Sequence, residues 1–409
     1  MNLAGFIARR IAFNQQKSFS RFIIRLATAA TVLSVTIMLV ALAITNGFQY
    51  TISQKIFSFW GHIRVEHFEP GKSLLAEETA IEKNDTVARI LKADADIESV
   101  NPFATKSAIL KTDEGIEGIV FKGVEKDYRS DHLQQFILQG SWIKFPDSSY
   151  SREILLSEPV ARELKLKVGD KVFIYFIQGD GSSPRANRLT VGGIYKTGIE
   201  EYKNIALGDI RLVQRLNDWK PDEIGGYEIF LHDYRKMDTV NNIIFNELPV
   251  NWNSKTIREI YPNIFDWLNL QDNTIWLVLI IMTIVAVLNL ITCLIILVLE
   301  RTRMIGVLKA LGMPNSSLQT VFLLHGSIIT LSGIVFGNLL ALLLCWLQQH
   351  YGFITLPEEM YYISKAEVRL EWWHFLLVDG GTFLVCFFIL LIPTLIIWRI
   401  QPVKAIQFR

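Results

Sequence analysis

The sequence predicts a polytopic α-helical membrane protein with four transmembrane helices and a large extracytoplasmic mixed α/β domain. Half of its 409 residues are hydrophobic and its mean hydropathy is +0.28, which is typical of a membrane protein with a large water-exposed part. Four apolar runs are long enough to cross a bilayer, and a long polar stretch separates the first run from the others. The formal net charge of only +1 excludes a general electrostatic attraction to nucleic acid.

Each apolar run exceeds the roughly 20 residues that a helix needs to cross about 30 Å of hydrocarbon. The first run is too long for a signal peptide and lacks a good cleavage site, so we expect it to stay in the protein. The four runs are Phe22–Ile44, Ile275–Leu299, Val321–Leu347 and Phe375–Trp398. The predicted division of the chain is a cytoplasmic amphipathic helix (1–20), spans (21–47, 274–300, 318–348 and 374–398), an external α/β domain (48–273, with a lobe inserted at about 121–205), a cytoplasmic connector (301–317), an external loop (349–373) and a cytoplasmic tail (399–409).

Lysine and arginine beside the runs set the predicted orientation. Basic side chains dominate before the first run, in the connector and after the fourth run, whereas the 349–373 loop has four glutamates against two basic residues. Both termini and the connector are therefore predicted to be cytoplasmic, with residues 48–273 outside. The basic residues that carry this prediction are Arg9, Arg10, Lys17, Arg21, Arg25, Arg301, Arg303, Lys309, Arg399, Lys404 and Arg409.

The N-terminal segment has the pattern of an amphipathic helix. Leu3, Phe6, Ile7 and Ile11 share one helical face, and basic side chains fall elsewhere. We expect this segment to lie in the membrane plane before the first span. A disordered basic tail that only sets the orientation is the alternative.

Residues 48–273 alternate between strand and helix patterns. Helical patterns begin near Asn, Asp or Ser, which are good helix-capping residues. The stretch Gln178 to Asn187 (QGDGSSPRAN) has loop composition and is expected at the tip of a long hairpin. Predicted strands are His62–His67, Gly118–Val124, Glu153–Ser157, Lys171–Ile177, Arg188–Tyr195 and Gly226–Leu231; predicted helices lie at 84–93, 157–166, 208–219 and 233–248.

The sequence contains no motif that indicates an enzyme working alone. It has no GxxxxGK[ST] phosphate loop, HExxH zinc motif, GxSxG elbow or CxxC pair. His62 and His67 are five apart on a predicted strand and would face opposite sides, so a metal pair there is not expected. The three cysteines, Cys293, Cys345 and Cys386, lie in apolar runs and are expected to be packing residues. We predict no catalytic residue, no metal site and no cofactor bound by this chain.

The connector between the second and third runs is the candidate functional segment. Glu300, Arg301 and Arg303 stand where the second run leaves the hydrocarbon. A helical apolar pattern follows, and it ends at Gly312, which can terminate a helix. A loop that only connects two spans does not require an ordered apolar surface. We therefore expect this short helix to dock on a cytosolic partner. The pattern includes Met304, Ile305, Val307, Leu308 and Leu311, with Lys309 on another side.

Small and polar residues within the runs indicate helix packing. Gly326, Gly333 and Gly337 share one face of the third run, and the last two form a GxxxG pair that favours close helix contact. This contact could form within one subunit or across a dimer. Asn289 is expected to hydrogen-bond to a neighbouring helix. Asp379 lies four residues inside the outer end of the fourth run and is expected at the membrane interface.

Several stretches together resemble the FtsX/MacB-type ABC transporter permeases, most closely the lipoprotein-releasing LolC/LolE family. The most typical block is LERTRMIGVLKALGMPNSSLQTVFLLHGSIITLSGIVFG, which begins at Leu299. Further similar stretches are SVTIMLVALAITNGFQ, LKLKVGDKV, RLTVGGIYKTGIEEYKNIAL, LPEEMYYISKAEVRLEWWHFL and IPTLIIWRIQPVKAIQFR. The stretch before the fourth run is particular to the lipoprotein branch, and the resemblance extends along nearly the whole chain.

The resemblance implies a non-catalytic membrane subunit in the bacterial inner membrane with a MacB-like periplasmic core domain. It implies a homodimer or a paralogous heterodimer on two copies of an ABC ATPase, which bind ATP and Mg²⁺. Its cargo would be a lipoprotein, transferred from membrane lipid to a periplasmic carrier. The resemblance implies an ATPase-coupling helix with the residues Glu300, Arg301, Arg303, Met304, Gly306, Leu308, Lys309 and Gly312. It implies a lipid-anchor region at the exit of the first span, at Asn46, Gly47 and Phe48. It also implies a carrier hairpin at about 176–189, with Gln178, Gly179, Asp180, Pro184 and Arg185, and this hairpin is shorter than in the family's carrier-binding form.

Two other functions remain open. A mechanotransmission permease of the same architecture could drive efflux or activate a cell-wall hydrolase. A membrane-anchored sensor without an ATPase is the third hypothesis, and it leaves the ordered connector unexplained.

Overall fold

The computed structural model describes residues 19–69, 79–147, 149–177 and 183–394. Residues 1–18 of the predicted N-terminal helix and the predicted tail at 399–409 lie outside these ranges. Four helices within them are long and apolar enough to cross a membrane. Together with the mixed α/β domain between the first two, they confirm the predicted fold class. The candidate spans are Phe22–Trp60, Pro262–Glu300, Asn315–Tyr351 and Trp372–Ile392.

The described chain forms two compact units. The membrane unit comprises residues 19–50, 267–355 and 365–394, and the external unit comprises residues 51–266, apart from the gaps given above, and 356–364. The helices are α1 (Phe19–Trp60), α2 (Asp85–Ala93), α3 (Asp131–Gln134), α4 (Glu158–Glu163), α5 (Ile210–Leu216), α6 (Met237–Glu247), α7 (Ile257–Ile260), α8 (Pro262–Glu300), α9 (Thr302–Ala310), α10 (Asn315–Tyr351), α11 (Glu358–Tyr361), α12 (Trp372–Phe375) and α13 (Gly381–Thr394).

The membrane unit is held together by apolar side chains from all four spans. One cluster joins Ala27 of α1 to Leu294 of α8, Phe322 of α10 and Leu390 of α13. A second cluster packs Val35 and other α1 residues against α8, α10 and the start of the fourth span. Because lipid tails are as apolar as these side chains, close van der Waals packing and polar contacts hold the spans together.

The external unit is built around a ten-stranded mixed sheet. The strands are β1 (Ile63–His67), β2 (Ile81–Glu82), β3 (Ile97–Lys111), β4 (Ile116–Val124), β5 (Ile137–Gly140), β6 (Glu153–Ser157), β7 (Lys171–Phe176), β8 (Arg185–Tyr195), β9 (Ile205–Asp209), β10 (Glu223–Ile224), β11 (Gly226–Leu231) and β12 (Trp252–Thr256), of which β2 and β10 form a separate pair. The strand order in the large sheet is β12-β1-β11-β3-β4-β9-β6-β8-β5, with β7 pairing with both β3 and β8. The six predicted strands are confirmed as β1, β4, β6, β7, β8 and β11.

The domain boundaries drawn from the sequence stay predictions. In the described chain the two units divide at residues 50/51 and 266/267, rather than at 47/48 and 273/274. Strands β5 to β8, which lie within the predicted lobe at 121–205, belong to the same ten-stranded sheet as the rest of the external unit.

A buried ion pair lies inside the external unit. Lys122 of β4 and Glu228 of β11 have fully buried side chains, and their charged atoms are 2.5 Å apart. The Lys122 ammonium also donates to the backbone carbonyl of Phe59, near the end of α1, and lies 4.5 Å from the centre of the Trp60 ring. The pair therefore ties two strands and the last turn of α1 to one buried point.

A buried histidine gives the external unit a defined pH dependence. His62 accepts a hydrogen bond from the Leu231 N–H at 2.8 Å, and burial, followed by the charge of His132, lowers its pKa to about 3. The unfolded chain, with a histidine pKa of about 6.5, binds this proton more readily than the folded chain. The stability contributed by neutral His62 is complete above pH 6.5 and is lost as the pH falls towards 3.

We expect the external unit to lose about 2 kcal/mol of stability between pH 6.5 and pH 5 through His62. Hydrogen exchange of the β11 amides in the full-length protein, corrected for the intrinsic pH dependence of exchange, measures this loss. His62→Gln should flatten the dependence, whereas His232→Gln, at an exposed position, should not. An unchanged pH dependence in His62→Gln would refute the assignment.

Candidate functional site

The connector forms a short helix that is separate from the second span. Helix α8 ends at Glu300, Arg301 leaves the helical conformation with φ −96° and ψ 12°, and α9 runs from Thr302 to Ala310. Gly312 then adopts φ +89°, a left-handed conformation that glycine adopts without steric cost. Its N–H donates to the Lys309 carbonyl at 3.0 Å and closes the helix. The observed bounds agree with the predicted helix from about Arg301 to Gly312.

One face of α9 packs on the membrane bundle. Ile305 and Gly306 are buried, and Ile305 belongs to the cluster that contains Leu318 and Phe322 of α10. Met304 and Leu308 are partly buried against the same cluster. This packing fixes the orientation of the short helix.

The opposite face of α9 is exposed and partly apolar. Val307 is 43% exposed and Leu311 is 79% exposed, and Arg303 lies one turn before Val307. Residues four apart share a helical face, so these three side chains form one surface. We call Arg303, Val307 and Leu311, the residue that directly follows α9, the outer face of α9.

The predicted coupling residues divide between these two faces. Glu300, Arg303 and Gly312 are exposed, whereas Arg301 and Lys309 are partly exposed. Gly306 is buried and Met304 and Leu308 are partly buried, so they contact the bundle. The predicted set omitted Val307 and Leu311, because an apolar pattern alone does not say which side of a short helix its own bundle covers.

The three glycines of α10 pack within the subunit. A Cβ atom at Gly333 would lie 2.6 Å from Thr31 Cγ2, and one at Gly337 would lie 2.8 Å from Val35 Cβ, both on α1. A Cβ at Gly326 would lie 2.7 Å from a methyl carbon of Leu390 on α13. The face that contains the three glycines therefore lets α10 approach two other spans of the same chain.

Polar contacts fix the same helices at membrane depth. The Thr36 hydroxyl of α1 donates to the carbonyl of Gly337 at 3.1 Å, which is possible because no side chain separates the two backbones. Asn289 of α8 donates through Nδ2 to the carbonyl of Ala27 at 3.0 Å, so the predicted bond to a neighbouring helix is confirmed. Helix α1 is thus bonded to both α8 and α10.

The exit of the first span packs against the loop before the fourth span. A Cβ at Gly47 would lie 2.7 Å from the carbonyl carbon of Glu367 and 3.0 Å from the Arg369 nitrogen. Asn46 donates through Nδ2 to the Arg369 carbonyl at 3.3 Å, and the Arg369 N–H donates to the Ala43 carbonyl at 3.0 Å. Only glycine at position 47 permits this close approach of backbones.

A small cavity of ≈ 130 Å³ opens beside this exit, within the membrane unit. Asn46 and Gln49 line it together with Asp272 and Trp276 of α8, and Gln49 donates to Asp272 Oδ1 at 2.7 Å. Phe48, the third predicted exit residue, is buried and meets the ring of Trp267 edge to face at 5.3 Å. The exit thus combines a rigid backbone contact with a partly polar cavity.

The predicted carrier hairpin is only partly within the described chain. Gln178, Gly179 and Asp180 lie outside the described residues. Pro184 is exposed, and Arg185 begins β8 and forms an ion pair with Asp218 at 2.8 Å. Arg185 therefore anchors the base of the hairpin to the loop after α5.

Two protein-family models match this chain. Residues 26–239 match the MacB-like periplasmic core domain, and residues 276–402 match the FtsX-like permease C-terminal model. The lipoprotein-releasing system transmembrane protein LolE of Haemophilus influenzae is 23% identical over the full length of both chains. LolC of Xylella fastidiosa is 22% identical over 98% of this chain and 97% of its own length.

Solved structures of separate domains are also similar to part of the chain. The extracellular domain of the noncanonic ABC-type transporter YknZ from Gram-positive bacteria is 14% identical, covers 48% of this chain and all of its own, and has a TM-score of 0.33. The periplasmic region of MacB from Actinobacillus actinomycetemcomitans is 13% identical, covers 49% of this chain and 91% of its own, with the same TM-score of 0.33. Both family models match this chain, and the match to the MacB-like periplasmic core domain alone covers more than half of it. The chain therefore belongs to the ABC transporter permeases of the FtsX/MacB type.

Proposed function

We propose that this permease takes part in lipoprotein release. Driven by a separate ATPase, it extracts a lipoprotein from the inner membrane for transfer to a periplasmic carrier. The observation that carries the proposal is the end-to-end similarity to LolE and LolC, whose names describe a lipoprotein-releasing system. That similarity includes the external domain as well as the permease block shared by the wider family.

In this proposal, force enters through α9. Its inner face packs on the bundle through Ile305 and Gly306, and its outer face offers Val307 and Leu311 to a cytosolic ATPase. A helix that is fixed on one side and apolar on the other can transmit the movement of a docked partner. ATP and Mg²⁺ are bound by that partner, and two copies of the ATPase act on a dimer of permease subunits. The charge pattern beside the spans supports cytoplasmic termini and a cytoplasmic α9.

We expect Leu311→Asp to reduce ATPase stimulation and lipoprotein release about tenfold or more. Docking would bury an unpaired carboxylate, and its desolvation exceeds the roughly 1.4 kcal/mol that a tenfold loss requires. Leu311 is 79% exposed, so folding and membrane insertion should be unaffected. Copurification of the ATPase and its hydrolysis rate in proteoliposomes measure the effect.

Two further variants make this result specific. Val250→Asp changes a fully exposed apolar residue of the external unit and should leave coupling intact. Ile305→Asp disturbs the bundle itself and should reduce the amount of folded protein. Normal coupling in Leu311→Asp and Val307→Asp would show that the outer face of α9 is not a docking surface.

The lipid anchor is proposed to lie beside the exit of the first span. Asn46 and Gln49 bring polar groups to a cavity whose other walls include Trp276 and Trp373. Such a combination suits the junction between acyl chains and a polar headgroup region. Gly47 and Phe48 hold the exit in position, and the hairpin that begins at Arg185 is the candidate carrier contact.

Depletion of the permease from cells tests the proposed cargo. Lipoproteins retained in the inner membrane are the expected result. Normal lipoprotein sorting with a defect in export or in cell-wall cleavage would instead favour the mechanotransmission permease. Normal sorting without an ATPase partner would favour the membrane-anchored sensor.

A further inference from the structure

The fourth span contains a polar residue that neither docking nor cargo binding explains. Asp379 is the single acidic residue within the four apolar runs of the sequence. It lies in a π-helical turn, Leu376–Gly380, between α12 and α13. Asp379 lies seven residues inside the candidate span Trp372–Ile392, deeper than the interfacial position expected from the sequence. Acidic residues within membrane spans are costly, and π-helical turns often mark functional positions. Both features call for a physical explanation of Asp379.

The contact partner of Asp379 is Asn338 on the third span. Asn338 Nδ2 donates to Asp379 Oδ2 at 2.7 Å, so the side-chain amide already satisfies one carboxyl oxygen. Within the described residues, Asp379 Oδ1 and Asn338 Oδ1 are both buried and have no hydrogen-bond partner. Each of these oxygens is an acceptor when the carboxyl is ionised, so neither can satisfy the other.

The surroundings of this pair supply no compensating positive charge. Val378 packs in an apolar cluster with Val35, Leu279 and Ile334, and no ion pair to Asp379 exists within the described residues. The residues of α1 from Leu26 to Phe48 include no titratable side chain. Several other titratable groups lie on the neighbouring spans or near their outer ends: Asp266, Asp272, Cys293 and Glu300 on α8, His325, Cys345, His350 and Tyr351 on α10, and Glu371, His374 and Cys386 on or just before the fourth span.

We propose that Asp379 is a proton-binding site within the membrane unit, and that the neutral acid pairs with the amide of Asn338 through two hydrogen bonds. A proton taken from water and bound to Asp379 Oδ1 turns that oxygen into a donor for Asn338 Oδ1. The bond from Asn338 Nδ2 to Asp379 Oδ2 remains. One proton thereby satisfies both buried oxygens and removes the uncompensated charge, which costs several kcal/mol when buried.

The bound proton would hold the third and fourth spans together through the two hydrogen bonds between Asp379 and Asn338. Asn338 follows Gly337, whose backbone contacts α1, so the Asp379–Asn338 pair lies next to a close approach of α10 to α1. Loss of the proton leaves a carboxylate oxygen facing the amide oxygen of Asn338, and the repulsion between these two acceptors opposes this packing. The inference stands independently of the cargo, and it adds a proton to the groups that this permease binds.

Infrared spectroscopy of the full-length chain in lipid bilayers tests the protonation state directly. At neutral pH, the wild type should have the carbonyl band of a neutral carboxylic acid, and Asp379→Asn should lose it. Asp272→Asn, which changes an exposed carboxylate at the outer end of α8, should retain it. Absence of the band in the wild type, or an unchanged band in Asp379→Asn, would overturn the proposal.

Thermal unfolding of the same samples tests whether the two hydrogen bonds between Asp379 and Asn338 stabilise the membrane unit. Asparagine at position 379 can donate and accept the same two hydrogen bonds as a neutral acid, so the Tm of Asp379→Asn should equal that of the wild type. Asp379→Leu and Asn338→Leu should both lower it, because each leaves one buried partner unsatisfied. A fall in Asp379→Asn as large as in Asp379→Leu would mean that the negative charge itself is needed and would contradict the proposal.

Discussion

Gly337→Leu and Gly333→Leu are expected to separate the first and third spans and to reduce transport activity more than tenfold. Even a Cβ atom at these positions would lie 2.8 Å from Val35 Cβ and 2.6 Å from Thr31 Cγ2, well inside van der Waals contact. Overpacking of this kind costs about 1–3 kcal/mol per site when neighbours can adjust. Here the nearest atoms include branched Cβ atoms next to the backbone, so the helices themselves must move.

The glycine variants also break a hydrogen bond. The Thr36 hydroxyl reaches the Gly337 carbonyl at 3.1 Å only while the two backbones stay close. The Tm of the purified full-length protein and its activity in proteoliposomes measure the combined effect. Gly381→Leu is the matched control, since a Cβ there meets nothing within 4 Å. An effect of Gly381→Leu equal to that of the other two substitutions would mean that the glycine face has no special role in packing.

Lys122→Met is expected to destabilise the external unit by about 3–5 kcal/mol, because it leaves Glu228 buried without its partner. Both side chains are fully buried at a separation of 2.5 Å. A loss of this size is a large part of the 5–15 kcal/mol that stabilises a typical domain. Urea-dependent proteolysis of the external unit in the full-length protein measures it.

A double substitution separates loss of the pair from loss of packing. Lys122→Met combined with Glu228→Leu removes both charges and should recover most of the stability, since apolar replacement of a whole buried pair is often neutral. Lys126→Met should have no measurable effect, because Lys126 and Asp147 form an exposed pair at 2.8 Å. A double variant as unstable as Lys122→Met would show that packing, rather than the unpaired charge, dominates at this site.

The sequence predicts elements well where a single local pattern governs them. The four spans follow from uninterrupted apolar length, and β6, Glu153–Ser157, agrees residue for residue with the predicted strand. The longest strand, β3, was not predicted, because Pro102 and several polar residues interrupt its pattern. Its ladder forms through pairing with β4, the next strand along the chain, and with β7 and β11, which lie far from it in the sequence.

Side-chain environments are harder to predict than elements. Lysine is almost never fully buried, so nothing in GIVFKGV indicates that Lys122 lies inside the external unit. The apolar pattern of α9 predicts a helix, but only the position of Leu318 and Phe322 determines that Ile305 faces inward and Leu311 outward. The spacing of Gly326, Gly333 and Gly337 likewise predicts a packed face without identifying the helices that meet it.

Site-specific photocrosslinking from α9 tests the central claim, that a separate ATPase drives this permease through the outer face of α9. A photoreactive amino acid at position 311 should capture the ATPase in native membranes. The same probe at the fully exposed position 250 should not. Failure to capture an ATPase from positions 303, 307 and 311 in a permease that remains active would contradict the account.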